Sequence, residues 1–392
     1  MSGFVFPNEM EINWSLLIVL YPYITGLVAG AFIVSALYHV FNRRQLAPVG
    51  RLALVTALSF LIVAPMPLLL HLGQPVRGLE IMWTPNPTSA MAGFGYIYSF
   101  YMVILLLEIW FIFRSDIVAH ARSSRGIARL GYTVLSLGAW DTSPRTLEQD
   151  HRLTTVLASI GIPAAAFLHG YVGFIFGAIK ANPWWSTPLQ PVIFLLSAIV
   201  SGMALLMLVY AVTCWRRKEA VDHQCLMSLN KYLWYFLILD VCLEVLEVIS
   251  KMYEAEEAWP VIYQLLTAYL PVTFFGLQLA LGAVVPLVLL TVARRAGSRS
   301  GQALTLLSAA LILVGVFSMR WNVVIGGQML SKSLRGFTAY HPPFLGLEGV
   351  LPAVVILALP FVILAVVCRI IPPWSQKAAG EEYYSSDVEV SA

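Results

Sequence analysis

The residues able to do chemistry fall into a few places in an otherwise apolar text. The first is Pro65 to Gly95, reading PMPLLLHLGQPVRGLEIMWTPNPTSAMAGFG. Here His71 closes an apolar run, Arg77 follows a Gly-Gln-Pro turn, and Asn86 and Ser89 share the same connection. A neutral imidazole can donate or accept a hydrogen bond, which suits the carbonyl or hydroxyl of a quinone head group. A histidine in this position can also merely satisfy the end carbonyls of a helix. A second group is Asp240, Glu244 and Glu247, spaced four and three apart, with Lys251 four further on. At 3.6 residues per turn these share one helix face. Such a stripe could relay protons or hold a cation; alternatively, Glu247 pairs with Lys251 and Glu244 bonds a neighbouring helix. Arg320 and Asn322 stand in RWNVVIGGQ, and a buried arginine at that depth looks to Glu244 or Glu247 for its counter-charge. His169, in FLHGYVGF, is either a packing residue or a quinone or proton ligand. Glu108 either forms the inner end of a proton path or reaches towards Arg114 and interfacial water. An ionisable group in the hydrocarbon costs roughly 2.5 to 3.5 kcal/mol on insertion scales, so each of these residues is a functional candidate.

These groups need elements to hold them. The chain has 392 residues, of which 59% are hydrophobic and only 11% charged. The mean hydropathy of +0.78 is that of an all-α polytopic membrane protein in contact with the lipid bilayer. Taking about 20 apolar residues per crossing, nine helices are expected: near 15–40, 52–72, 92–114, 154–179, 189–214, 229–251, 267–293, 303–325 and 349–371. Residues 1–14 carry no Lys or Arg and lack the basic start of a secretory signal, so the first apolar segment is expected to be retained. The transmembrane domain covers 15–372, and the acidic, Ser- and Tyr-containing segment 373–392 reads as a disordered tail.

Basic residues alternate along the connections. Arg43, Arg44 and Arg51, then Arg114 to Arg152, Arg216 to Lys218, Arg294 to Arg299, and Arg369 with Lys377 all fall on one side. The other side has Arg77, Lys180, Lys251, Lys332 and Arg335. By the positive-inside rule the N-terminus is outside, or periplasmic, and the C-terminus cytoplasmic, in a bacterial inner membrane. The connection after His71 then lies on the outer face. This dispersed charge, +3 in total, speaks for membrane topology and against a nucleic-acid partner. Cys214, Cys225, Cys242 and Cys368 show no CxxC spacing, so no iron–sulfur cluster, structural zinc or covalently attached haem is expected in this protein.

An internal repeat can be drawn by laying LVAGAFIVSALY (27–38) on IVSGMALLMLVY (199–210), which sets Gly30 over Gly202 and Tyr38 over Tyr210. A parallel duplication would comprise 15–179 and 189–325, with 349–371 added.

HLGQPVRGLEIMWTPNPTSAM, GIPAAAFLHGYVGFIFG with the following PWW, and RWNVVIGGQ together resemble the NrfD/PsrC family of quinone-reactive membrane subunits, including its longer DsrP-like and HybB-like members. His71 stands where many of that family have Asp. The resemblance implies a haem-free protein, usually of two four-helix bundles, with a pocket for menaquinone or ubiquinone near the outer face. It also implies a periplasmic ferredoxin-like iron–sulfur partner, with a molybdenum enzyme, hydrogenase or multihaem cytochrome completing the complex. The chain is then not catalytic alone. On this reading His71, Arg77, Tyr98, Tyr101, His169 and Asn322 line the quinone pocket. Glu108, Asp240, Glu244, Glu247 and Arg320 handle protons or charge. Two other classes stay open: an ion-coupled secondary transporter using the acidic stripe, and a haem b anchor, which would need axial histidines paired across the bundle.

Overall fold

A computed structural model describes residues 11–254 and 257–374. The expected tail, apart from its first two residues, and most of the N-terminal segment lie outside the described residues. At the centre is α1 (Leu16–His39), which starts at Ser15, whose hydroxyl accepts the Leu17 amide. Because α1 is apolar on every side, it must be surrounded, and it is buried along almost its whole length. It is wrapped by α2 (Ala47–Val63), with its continuation α3 (Met66–His71), and by α6 (Pro144–Gly177) and α7 (Gln190–Arg217). Between these, α4 (Ala90–Ser123) packs on α6 and carries the short α5 (Gly126–Leu135).

The second half begins with α8 (His223–Tyr253), whose first turn is capped by the Asp222 carboxylate accepting from the Cys225 amide at 3.0 Å. A short α9 (Trp259–Gln264) runs into π-helical turns over Leu265–Tyr269 and Pro271–Val284, continued by α10 (Val285–Ala293). Pro271 brings no backbone N–H, and the Leu270 amide reaches back five residues to the Leu265 carbonyl, opening the helix there. Then come α11 (Ser298–Trp321), a π turn at Asn322–Gly326, the single turn α12 (Gly327–Met329) and the last span, α13 (Val350–Ile370).

Among the described residues, eight helical stretches are long and apolar enough to cross a membrane. The 31-residue α8 is the ninth by length, and its charges set it apart from the other eight. All nine expected spans are therefore present in order. Three features were not expected: α4 and α6 extend beyond the apolar text, α5 follows α4 directly, and α2 breaks at Pro65.

Close approach fixes the centre. A Cβ placed on Gly30 would run into the Ala198 carbonyl and lie 2.7 Å from Gly202 Cα, so α1 and α7 touch backbone to backbone. The end bearing most arginines is tied by ion pairs between spans. Arg51 of α2 pairs with Asp116 of α4, and Arg114 of α4 pairs with Asp150 of α6 at 2.5 Å. The Arg114 guanidinium also donates to the Asp141 carbonyl at 2.6 Å, so its contacts run to Asp150 and Asp141.

Candidate functional site

Three helices converge on Arg320, which is fully buried near the end of α11. Its Nη2 donates to Ser197 Oγ at 2.7 Å and to the Phe194 carbonyl at 3.3 Å, both on α7, and lies 3.1 Å from His169 Nε2 on α6. The guanidinium stacks over the Phe194 ring, 3.8 Å from its centroid. The small Ser197 admits this approach, and Gly26 of α1 closes the other side of the imidazole: a Cβ there would meet His169 Cε1 at 3.1 Å. Arginine has no acceptor atom, so Nε2 must offer its lone pair and the ring proton sits on Nδ1. Among the described residues, His169 Nδ1 and Arg320 Nε are buried without a partner.

The expected carboxylate partner for Arg320 is not in contact with it. Among the described residues no acid lies within ion-pair distance of the guanidinium, and Asp240 and Glu244 act on it only through space. Asp240 is buried, with Oδ1 unpartnered among the described residues. Glu244 accepts a hydrogen bond from Gln278 Nε2 at 3.0 Å, Gln278 Oε1 accepts from Asn322 Nδ2 at 2.7 Å, and the Asn322 carbonyl accepts from Trp184 Nε1 at 3.0 Å. This series runs through two of the three π-helical stretches, where wider turns free polar groups for use inside the bundle. Lys251 is not the partner of Glu247: its ammonium donates to the carbonyls of Pro183 at 2.7 Å and Ser186 at 3.3 Å. Half-buried Glu247 interacts with Lys251 and Glu244 only at longer range.

The other expected pocket residues do not share contacts with this network. His71 Nδ1 lies 3.1 Å from Glu348, beside the start of α13. Arg77 is two-thirds exposed and turned onto Glu80 and Gln74 within its own connection. The Tyr98 hydroxyl donates to the Leu61 carbonyl at 2.8 Å, an acceptor that Pro65, lacking an N–H, cannot satisfy. Tyr101 packs edge-on against Phe32, and its hydroxyl is buried and unpartnered among the described residues. Two turns further along α4, Glu108 is fully buried with neither carboxyl oxygen partnered among the described residues; it does not reach out to Arg114 or to an interface. Ser197, Gln278 and Trp184 were not singled out for chemistry from sequence. The PWW that contains Trp184 stood out only as a motif, and Gln278 is one amide in an apolar run.

Among the described residues no three His, Cys, Asp or Glu side chains are placed to hold a metal ion.

Fold and site together define a polytopic helical membrane protein with a buried polar network through its interior. Residues 5–331 match the family model described as polysulphide reductase, NrfD, and the chain belongs to that family. It is 31% identical over 319 residues to the C subunit of the selenate reductase of Mesobacillus selenatarsenatis, covering 80% of this sequence and 73% of the relative. Identity is 24% over 341 residues with the Hdr-like menaquinol oxidoreductase integral membrane subunit of Archaeoglobus fulgidus, 84% of this sequence and 76% of that one. With the C chain of the polysulfide reductase of Wolinella succinogenes it is 22% over 326 residues, 80% and 94% respectively.

Proposed function

We propose that the protein is the membrane subunit of a respiratory reductase complex, binding quinone or quinol within the bundle and exchanging electrons with a partner iron–sulfur subunit. The observation that carries this reading is the His169 Nδ1–H, a buried donor with no acceptor among the described residues, held in that tautomer by Arg320. A quinone carbonyl is an acceptor of the right kind, and a buried donor left unpaired costs about 1 to 3 kcal/mol. Quinone, when bound, supplies two-electron chemistry coupled to protons. The protein's own residues hold and orient it: His169 donates at Nδ1, Arg320 fixes the imidazole, and Asn322 in the network has an Oδ1 without a partner among the described residues. The names of the relatives, drawn from a selenate reductase, a menaquinol oxidoreductase and a polysulfide reductase, agree with such a role.

The basic end of the bundle faces the cytoplasm on this reading, which puts the connection 72–89 on the periplasmic side with His71 and Arg77. A ferredoxin-like subunit docks there, and a molybdenum enzyme, hydrogenase or multihaem cytochrome lies beyond it. Protons released or taken up travel by the Glu244, Gln278 and Asn322 series with Asp240 and Glu247, and by Glu108 in the first half.

The test is His169→Gln, whose amide can still accept from Arg320 but cannot reproduce Nδ1–H. Quinol-linked electron transfer in the assembled complex is expected to fall about 10- to 100-fold, as for one strong hydrogen bond. Unchanged turnover, together with indifference to quinone-site inhibitors, would sink the reading.

A second reading, an ion-coupled transporter, is favoured by the helix interrupted at Leu270–Pro271, whose π-helical continuation bonds Glu244 through Gln278. Gradient-driven uptake by liposomes containing this protein alone would establish it.

A further inference from the structure

The helix α5 has no part in the polar network, yet it is built with two unlike faces. Gly126, with φ +62°, makes the sharp reversal after α4 that a side chain would strain, and folds α5 back along the bundle. Ile127, Leu130 and Val134 recur at helical spacing and are 90%, 66% and 64% exposed, and Leu137, just beyond the helix, is 75% exposed. On the other side Tyr132 donates its hydroxyl to the Ile370 carbonyl at 2.9 Å, and Ser136 is buried. Trp110, one turn before Arg114 where the apolar text of α4 ends, donates Nε1 to the Leu135 carbonyl at 2.9 Å. The carboxy end of α5 is therefore pinned beside the basic end of the expected α4 span, and its apolar stripe is exposed. Arg125, the extended residue before α5, and Arg129 lie outside the stripe, both exposed and without an ion-pair partner among the described residues.

We infer that α5 is an interfacial helix that lies in the headgroup layer of the bilayer and binds anionic phospholipid. Its apolar stripe enters the acyl boundary, while Arg125 and Arg129 engage phosphate groups, the division of labour of membrane-surface helices. Charge complementarity and continuity with the bundle's lipid-facing surface single out lipid as the occupant. The inference is independent of whether the core binds quinone.

The full-length protein, purified in detergent and reconstituted in nanodiscs, carries the test. In native mass spectrometry, retention of phosphatidylglycerol should fall about fivefold for each arginine removed in Arg125→Gln and Arg129→Gln, about 1 kcal/mol apiece. Phosphatidylcholine retention should not change. Hydrogen exchange over 126–135 should slow in nanodiscs containing phosphatidylglycerol relative to detergent. Because both arginines are exposed, an unchanged thermal midpoint confirms that the variants fold. Equal phosphatidylglycerol retention by wild type and double variant would overturn the inference. So would protection of 126–135 that arises only when a protein partner of the native complex is bound.

Discussion

Arg320 and His169 meet 3.1 Å apart across α11 and α6, and the guanidinium, having no lone pair, dictates which imidazole nitrogen keeps its proton. The same Nη2 also serves Ser197 and the Phe194 carbonyl. One side chain thus joins three helices and sets the tautomer of the imidazole. Asp240 and Glu244 offset its charge through space, not by contact, so the guanidinium stays available to fix geometry.

Replacing Arg320 tests that arrangement. Arg320→Leu removes every one of these bonds and leaves buried acceptors without their donor, at about 1 to 3 kcal/mol for each group left unsatisfied. Arg320→Lys keeps the charge and donors but not the guanidinium plane stacked on Phe194, so it should recover only part of the loss. Thermal unfolding in detergent should rank wild type above Lys above Leu. Equal midpoints for all three would mean the network contributes nothing to the fold.

Tyr98 separates packing from ligand binding. Its hydroxyl is committed to the Leu61 carbonyl, which Pro65 cannot serve and which otherwise has only the Ala64 amide at 3.2 Å, so Tyr98→Phe should cost about 0.5 to 1.5 kcal/mol of stability. Quinol-linked turnover should stay within about twofold of wild type, since less than 0.5 kcal/mol would be at stake in binding. A large fall in turnover at unchanged stability would instead return Tyr98 to the quinone site.

The spans were legible because about 20 apolar residues have one physical use, and the sequence supplies nine such runs. The acids of α8 and Arg320 stood out for the same reason: charge is conspicuous in that setting. What the sequence could not tell was which groups meet. His169 and Arg320 are 151 residues apart and come together only through the packing of α6, α7 and α11. Gln278 is hidden in an apolar run, and its importance depends on a π turn that sequence periodicity does not announce. The ten-residue α5 is too short to register as a span. Gly30 and Gly202, aligned as repeat equivalents, face each other in the structure.

Asp141 gives a pH dependence at the amino end of α6. Hydrogen bonds from the Thr146 hydroxyl, then from the Ser143 amide, hold its carboxyl below the usual aspartate range. A depressed folded value means stability that is fully present above the unfolded pKa, near 3.9. That contribution is lost as pH falls from there through the folded value. Asp141→Asn should therefore lower the thermal midpoint by a constant amount at neutral pH, with the gap to wild type closing below about pH 4. A gap that persists unchanged at low pH would assign the effect to geometry instead of charge.

The α1–α7 contact makes the last prediction. In Gly30→Ala the new methyl would meet the Ala198 carbonyl and the Gly202 backbone, neither of which can turn aside as a side chain could. The helices must part, at a cost of about 1 to 3 kcal/mol for an overpacked site. Gly202→Ala meets Gly30 and Ala31 backbone in the same way and should cost a similar amount. Once the helices have moved for one methyl the second finds room, so the double variant should lose less than the sum of the two. Gly276→Ala, with nothing within 4 Å of its new methyl, provides the matched control and should leave the midpoint nearly unchanged. Strict additivity of Gly30→Ala and Gly202→Ala in detergent unfolding would show that the two glycines act at separate contacts.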